Sequence, residues 1–499
     1  MVGDYRRRAL MVCGATSNAG KSTVTAAICR SWARQGLSVA PFKAQNMSNH
    51  AAVTVDGGEV GRAQAMQAEA ARVPLERRMN PILLKPSSTT SSHLVVLGEE
   101  ISTTDATSYG PTAAALKPVV LEALQGLQAD YDWVVAEGAG GAAEINLLDR
   151  DLVNLPLAHA AGLPAILVVD IDQGGAFAAA HGTVDLLPAH LRERLVGVVF
   201  NKFRGDVRLL AGGISELEER NGIPVLGTLP YLDDHNALGA EDSLDIHARP
   251  YQPSRSAKPV RIAAIGLPRL ANPSDLDPFT IETDVEVRWV TRPDELSNAD
   301  IIVIPGSRAT VADLGWLRAN GFDVALQRTE AWIIGICAGY QMLGRRIYDT
   351  IESQTGPVDG LGLLDTVTNF EHPKIVRRSY GTVGSHQVFG YQIRYGRPTS
   401  QDEPWMHLDG HPEGAMNHHG TIRGSSLHGL FDADEVRTQL LIEVAKVRGR
   451  SYRPSETSFA TELESHHDHL ADWIEASMDM SHLQELASSA TSPPEAPGW

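Results

Sequence analysis

Cys337 ends an apolar run, Trp332 to Ile336, and carries Gly335 two residues before it and Gly339 two residues after it, in AWIIGICAGYQMLG. That spacing describes a nucleophile elbow, in which a buried strand stops and the chain turns too tightly for neighbouring side chains. The turn sets the first N–H groups of the next helix beside the sulfur, where they favour a thiolate and can later hold an oxyanion. A structural cysteine buried in a strand–turn–helix has no use for glycines at those two places.

A cysteine nucleophile needs a base, and His428 in SSLHGLFD follows another apolar segment. Its expected role is general base toward Cys337. A rival pair, His411-Pro-Glu413, stands in the polar stretch DGHPEGAMNHHG and is read as a chance match. Position 430 is Leu, so His428 has no carboxylate two residues on, and either a dyad or an acid from elsewhere orients its ring. The oxyanion hole is expected from Gly306 and Ser307, after the strand Ile301–Ile304, and from Ala338 N–H. His418 and His419 lack partners at ligand spacing and read as a solvated turn. GICAGYQMLG resembles the cysteine elbow of class I glutamine amidotransferases, which implies L-glutamine as the source of ammonia.

Near the N-terminus, Ala9–Cys13 reads as a buried strand, GATSNAGKST as a phosphate-binding loop, and the alanine-rich segment to about Arg34 as a helix. The usual first glycine position is Ala15, with Gly14 one residue earlier, so the pattern is met in a loose form. The amides of Asn18, Ala19, Gly20 and Lys21 would cradle phosphates, and Thr23 is expected among the phosphate-binding residues. Lys21 would reach the β/γ-phosphates, and Ser22 would hold Mg²⁺. Lys43 ends the strand Leu37–Phe42 as a candidate phosphate clamp, and Glu137 ends the strand Tyr131–Ala136 as a candidate Mg²⁺ ligand. Asn80–Ser88, with Lys85, reads as a substrate-side loop.

The elements that must position these residues alternate strand, helix and glycine-bearing loop, with further strands at Leu163–Asp170, Leu195–Phe200 and Ile223–Leu229. That alternation predicts an α/β fold with a doubly wound parallel sheet. The chain has 499 residues, too many for one core. Expected boundaries are a nucleotide-binding domain over 1–232, a linker over 233–259, a flavodoxin-like α/β glutaminase domain over 260–449 and a polar, partly disordered extension over 450–499. A β-rich segment is expected near Leu361–Val367, and a helix over Ala433–Gly449 with Asp432 as its N-cap. The net charge of -18 argues against nucleic acid and acidic membrane as partners. Three cysteines form no disulfide framework and suggest a reducing cytosol, hence a cytoplasmic protein.

The loose P-loop, the lysine after the second strand, EGAGG and the later NK resemble the dethiobiotin synthetase-like ATPases. That resemblance implies carboxylate activation by ATP, Mg²⁺ on Ser22 and Glu137, and an adenine contact from Asn201. The order of the two domains, with KAQNMSNH, GRAQAMQAEA, NPILLKPSS, VVDIDQGGAFA and VVFNKFRGD, resembles the cobyric acid synthase family from about residue 9 to 435. It implies ATP- and glutamine-dependent amidation of four corrinoid carboxylates, with the corrinoid as small-molecule partner and oligomeric state left open. Gln392 and Arg394 depart from the Glu and His common in that family. The alternatives are the sister cobyrinic acid a,c-diamide synthases and, from another class, a P-loop switch ATPase without amidation.

Overall fold

Strands with no polar alternation must be covered on both faces, and the buried runs Ala9–Gly14 (β1), Val39–Phe42 (β2) and Trp133–Glu137 (β3) are of this kind. The computed structural model describes residues 8–86, 91–105, 109–232, 254 and 256–488. With Ala165–Asp170 (β4), Leu195–Phe203 (β5) and Val225–Pro230 (β6), these strands form one parallel sheet in the order β6-β5-β4-β1-β3-β2. Pro41 is tolerated because β2 is an edge strand, pairing only with β3. The helix Lys21–Arg34 (α1) covers one face, and the phosphate-binding loop leaves the carboxyl end of β1 at the sheet's centre.

The second sheet is built from Val260–Ile265 (β7), Val285–Val290 (β8), Ile301–Ile304 (β9), Trp332–Ile336 (β10) and Ile422–Ser425 (β13). Its parallel order is β8-β7-β9-β10-β13, with Ala415–Met416 added antiparallel at the edge. Between β10 and β13 the chain makes a long antiparallel hairpin, Thr366–Val383 (β11) and His386–Ser400 (β12). The hairpin reaches the first domain, where Arg378 Nε donates to Val53 O at 3.1 Å.

Four expectations change. Ile82–Pro86 is a strand, not a loop, because Ile82, Leu83 and Leu84 are all buried in a small sheet with Gln45–Met47 and Ser91–Val96. The segment from Leu361 turns with Leu361 and Leu364 buried, and the strand starts only at Thr366. Asp432 closes a short 3-10 turn and does not cap the helix Asp434–Arg448 (α3). The extension past residue 450 folds into helices Phe459–Glu475 (α4) and Met480–Ser488 (α5). Its apolar residues Phe459, Leu463, Leu470 and Ile474 recur at helical spacing, a pattern masked by the surrounding histidines and acids. Most of the expected linker, 233–253 and 255, and the tail from 489 lie outside the described residues.

Helix α4 returns from the second domain to lie on α1. Ser458 Oγ caps it by accepting from Thr461 N at 3.1 Å. Arg30, 0% exposed, donates to Glu464 at 2.6 Å and Asp468 at 2.9 Å. Either carboxylate alone can balance the buried guanidinium, so the single variants Glu464→Ala and Asp468→Ala are expected to be mild. The double variant strands a buried charge and is expected to lower unfolding free energy by about 3 kcal/mol, as read by denaturant titration.

Candidate active sites

The chain turns at Cys337 with φ 53° and ψ -107°, a conformation a non-glycine residue holds only when its surroundings force it. Those surroundings are the glycines: a Cβ on Gly339 would lie 1.9 Å from Ile304 O, and one on Gly335 would lie 2.7 Å from the Gly339 carbonyl carbon. Cys337 N is tied to Ser425 O at 2.7 Å, so β10 and β13 together end at the elbow. The short helix Ala338–Leu343 (α2) then starts at Ala338.

His428 lies just past β13 and is buried beside the sulfur, with its ring stacked on Tyr391 at 5.3 Å. Its Nδ1 meets Asp275 Oδ2 at 2.7 Å, and the other oxygen of Asp275 accepts from Gly429 N at 2.9 Å. Asp275 is the acid that the sequence left unassigned. It comes from Pro273–Ile281, 153 residues upstream, and no motif points to it. Burial disfavours a charged ring, but Asp275 and then Cys337 outweigh it, and the His428 pKa is pushed up to about 10.

Gly306 and Ser307 run antiparallel to Leu270–Ala271, and a Cβ on Gly306 would stand 3.1 Å from His428 Cε1. Gly306, Ser307, Cys337 and His428 thus share one cavity, and Ala338 directly follows the nucleophile. The rival His411 is exposed and lines no part of that cavity, while Glu413 accepts from Ser425 Oγ and Ser426 N. His418 and His419 are exposed, and no metal cluster of three His, Cys, Asp or Glu occurs among the described residues.

In the first domain, left-handed Asn18 and Gly20 shape the loop after β1. Lys21 Nζ spans it, donating to Thr16 O at 3.2 Å and to Gly140 O at 3.0 Å. Ser22 Oγ donates to Glu137 Oε1 at 2.8 Å, and Lys43 Nζ reaches the same oxygen at 2.7 Å. Gln67 Nε2 donates to the other carboxylate oxygen. Burial pushes the Glu137 carboxyl up, but Lys43 outweighs it and holds the group below the usual carboxylate range. Ala19 is buried under the loop, and Thr23 is half-buried in α1. Asn201, expected at the adenine, stands against the phosphate loop. Its Nδ2 donates to Ala19 O at 2.9 Å and its Oδ1 accepts from Lys202 N, so the amide braces the phosphate loop. Only glycine fits at position 20, since a Cβ there would lie 2.2 Å from Asn201 Nδ2. Lys85 is no loop residue either: it is buried and paired with Glu59.

Residues 10–245 match the CobQ/CobB/MinD/ParA nucleotide binding domain, and residues 261–436 match the CobB/CobQ-like glutamine amidotransferase domain. Cobyric acid synthase of Frankia casuarinae is 44% identical, covering 97% of this chain and 97% of its own length. Those of Nocardia farcinica and Rhodococcus jostii are also 44% identical, covering 96% of this chain and 96% and 95% of their own. The chain belongs to the cobyric acid synthase family. It is an amide-forming ligase that joins a nucleotide-binding domain to a glutamine amidotransferase domain.

The two departures from the family's common residues meet each other here. Arg394 Nε and Nη2 both donate to Gln392 Oε1, at 3.1 and 2.8 Å, and Nη1 donates to Gly396 O.

The His428 value lies above the 6.5 of an unfolded chain, so its imidazolium contributes stability that is complete below pH 6.5. That contribution is lost as pH rises through about 10. Asp275→Asn keeps the shape but removes the charge. It is expected to bring the His428 pKa down and to flatten the fall in thermal stability between pH 7 and 10.

Proposed function

We propose that this chain amidates the b, d, e and g carboxylates of adenosylcobyrinic acid a,c-diamide, using one ATP and one glutamine for each amide. The observation that carries this is the placement of the Cys337 cavity. Its walls come from both domains: Asn49 and Lys85 belong to the nucleotide-binding half, and Cys337, His428 and Gly306 to the other. Ammonia in neutral water is mostly ammonium and not nucleophilic, so a cavity closed by the consuming domain suits local release and use.

At the cysteine, the sulfur attacks the glutamine side-chain amide carbon, with Gly306, Ser307 and Ala338 N–H groups proposed to hold the oxyanion. His428, already carrying a proton beside Asp275, gives it to the departing ammonia and then takes one from the water that hydrolyses the thioester to glutamate. At the other site, a substrate carboxylate takes the γ-phosphoryl group from ATP, and ADP leaves. Ammonia then displaces phosphate from the acyl phosphate and forms the amide. Lys21 and Lys43 supply positive charge where the phosphoryl group moves, and the loop amides from Asn18 to Lys21 hold the phosphates. Ser22 Oγ and Glu137 Oε1 converge beside Lys21 as a pair of hard oxygens, a set that fits Mg²⁺ with phosphate oxygens completing its shell. Bound there, Mg²⁺ would offset charge on the β- and γ-phosphates.

A second cavity, about 590 Å³, supports the corrinoid reading. It adjoins Gly140 and Gly141 and is walled by Met47, Leu84, Tyr109 and Leu147, a mostly apolar lining suited to a large macrocycle. Met47 and Leu147 are exposed at 62% and 48%, as surface that a ligand would cover.

Mass spectrometry of adenosylcobyrinic a,c-diamide with the enzyme, MgATP and glutamine should show four successive amidations. Cys337→Ala should lose glutamine-dependent turnover and keep ammonia-dependent turnover. Glu137→Gln should lose both while still hydrolysing glutamine, at a rate within about tenfold of the parent. Loss of ammonia-dependent turnover in Cys337→Ala would sink the two-site scheme.

A further inference from the structure

The Cys337 cavity holds two buried polar groups with nothing to bind among the described residues. Arg308 is 7% exposed and sits one residue past the Gly306-Ser307 turn. Its Nη1 donates to Glu352 at 2.5 Å. Its Nε and Nη2 are buried without a partner among the described residues. These two N–H groups lie parallel along one edge of the guanidinium, the edge that takes a carboxylate in bidentate fashion. On the same cavity, the buried Oδ1 of Asn49 is an acceptor without a donor among the described residues.

The other cations on the cavity wall are engaged. Lys85 pairs with Glu59, Lys374 with Glu59 and Glu100, and Arg394 with Gln392 and the Gly396 carbonyl. Glu352 fixes one end of the Arg308 fork and leaves the side-on edge free, so the guanidinium is held in place before any ligand arrives. Buried donors and acceptors left bare are costly, and each one in a folded protein calls for an explanation.

We propose that Arg308 binds the α-carboxylate of glutamine by this open edge and that Asn49, supplied by the nucleotide-binding domain, accepts from its α-ammonium. The inference rests on Cys337 being a glutaminase nucleophile. It makes Arg308 the residue that selects a free amino acid. With the α-carbon anchored between Arg308 and Asn49, only a side chain of glutamine's length presents its amide to the sulfur. It also makes the glutaminase site incomplete without the other domain.

The test is steady-state hydrolysis by the full chain of L-glutamine and of L-glutaminamide, whose α-carboxylate is replaced by a neutral amide. The parent enzyme is expected to favour glutamine in kcat/KM on the order of 10²-fold. Arg308→Gln should raise KM for glutamine by about 10²-fold, with kcat within about threefold, and should abolish the preference. Its ammonia-dependent amidation should be unchanged, which shows an intact fold. Arg308→Lys keeps a charge beside Glu352 without the bidentate edge and should fall between the two. Asn49→Ala should raise KM for both compounds about equally, since both carry the α-ammonium.

A parent enzyme that hydrolyses both compounds equally well would overturn the proposal with no variant needed. So would an Arg308→Lys variant with parental KM and parental preference. A parent enzyme that hydrolyses neither compound would instead overturn the glutaminase reading, and this inference with it.

Discussion

The 2.7 Å hydrogen bond from His428 Nδ1 to Asp275 ties catalysis to the docking of the two domains. Asp275 stands three residues after Asn272, and Asn272 is the point where the domains lock. Its side-chain oxygen accepts from Ala51 N at 2.9 Å, and its own N–H donates to His50 Nδ1 at 3.3 Å. A shift of the nucleotide-binding domain would therefore move the segment that aims the imidazole. Asn272 is left-handed, with φ 50°, a conformation asparagine tolerates better than most residues, and that twist turns its amide toward Ala51.

Charge does the rest of the docking. Glu59, fully buried, is shared by Lys85 of its own domain and Lys374 of the hairpin β11. Lys374 also reaches Glu100 at 3.0 Å, and Glu100 pairs with His93 at 2.6 Å. Burial pushes the Glu59 carboxyl up, but Lys374 and Lys85 outweigh it and hold the group well below the usual carboxylate range. A chain with a net charge of -18 thus gathers Lys85, Arg308, Lys374 and Arg394 around one cavity. Global charge and local field are separate properties, and the local one matters for an anionic amino-acid carboxylate.

The same short stretches serve both sites. Lys43 touches Glu137 beside the phosphate loop, and Asn49, six residues on, lines the Cys337 cavity. The helix Arg62–Ala70 has Gln67 on Glu137 at one side. Its first residue, Arg62, lines a small cavity with Asp275 and Tyr391. Glutamine hydrolysis and carboxylate activation are thus joined by rigid pieces of backbone only a few residues long. Helix α4, which touches the Asp275 segment and lies along α1, closes the assembly from the far end.

What the sequence determined by itself is what short-range sterics dictate. The elbow at Cys337 was legible because Gly335 and Gly339 are required within a few residues of the turn they permit, and the phosphate loop was legible for the same reason. Most strands were legible too, since an unbroken apolar run has few other uses. Tertiary structure alone decided the rest. Asp275 is an aspartate in an ordinary loop until folding brings it 2.7 Å from His428. Asn201 sits in a short motif, and packing lays its amide on the phosphate loop. Lys85 looks like a loop lysine until three apolar neighbours bury its strand and Glu59 meets it. Arg308 reads as one arginine among many until folding walls it in, satisfies one end of its fork and leaves the other bare. The dividing line is range: a residue's backbone needs are set by its neighbours in the chain, whereas the partner that gives a buried charge its meaning arrives from anywhere.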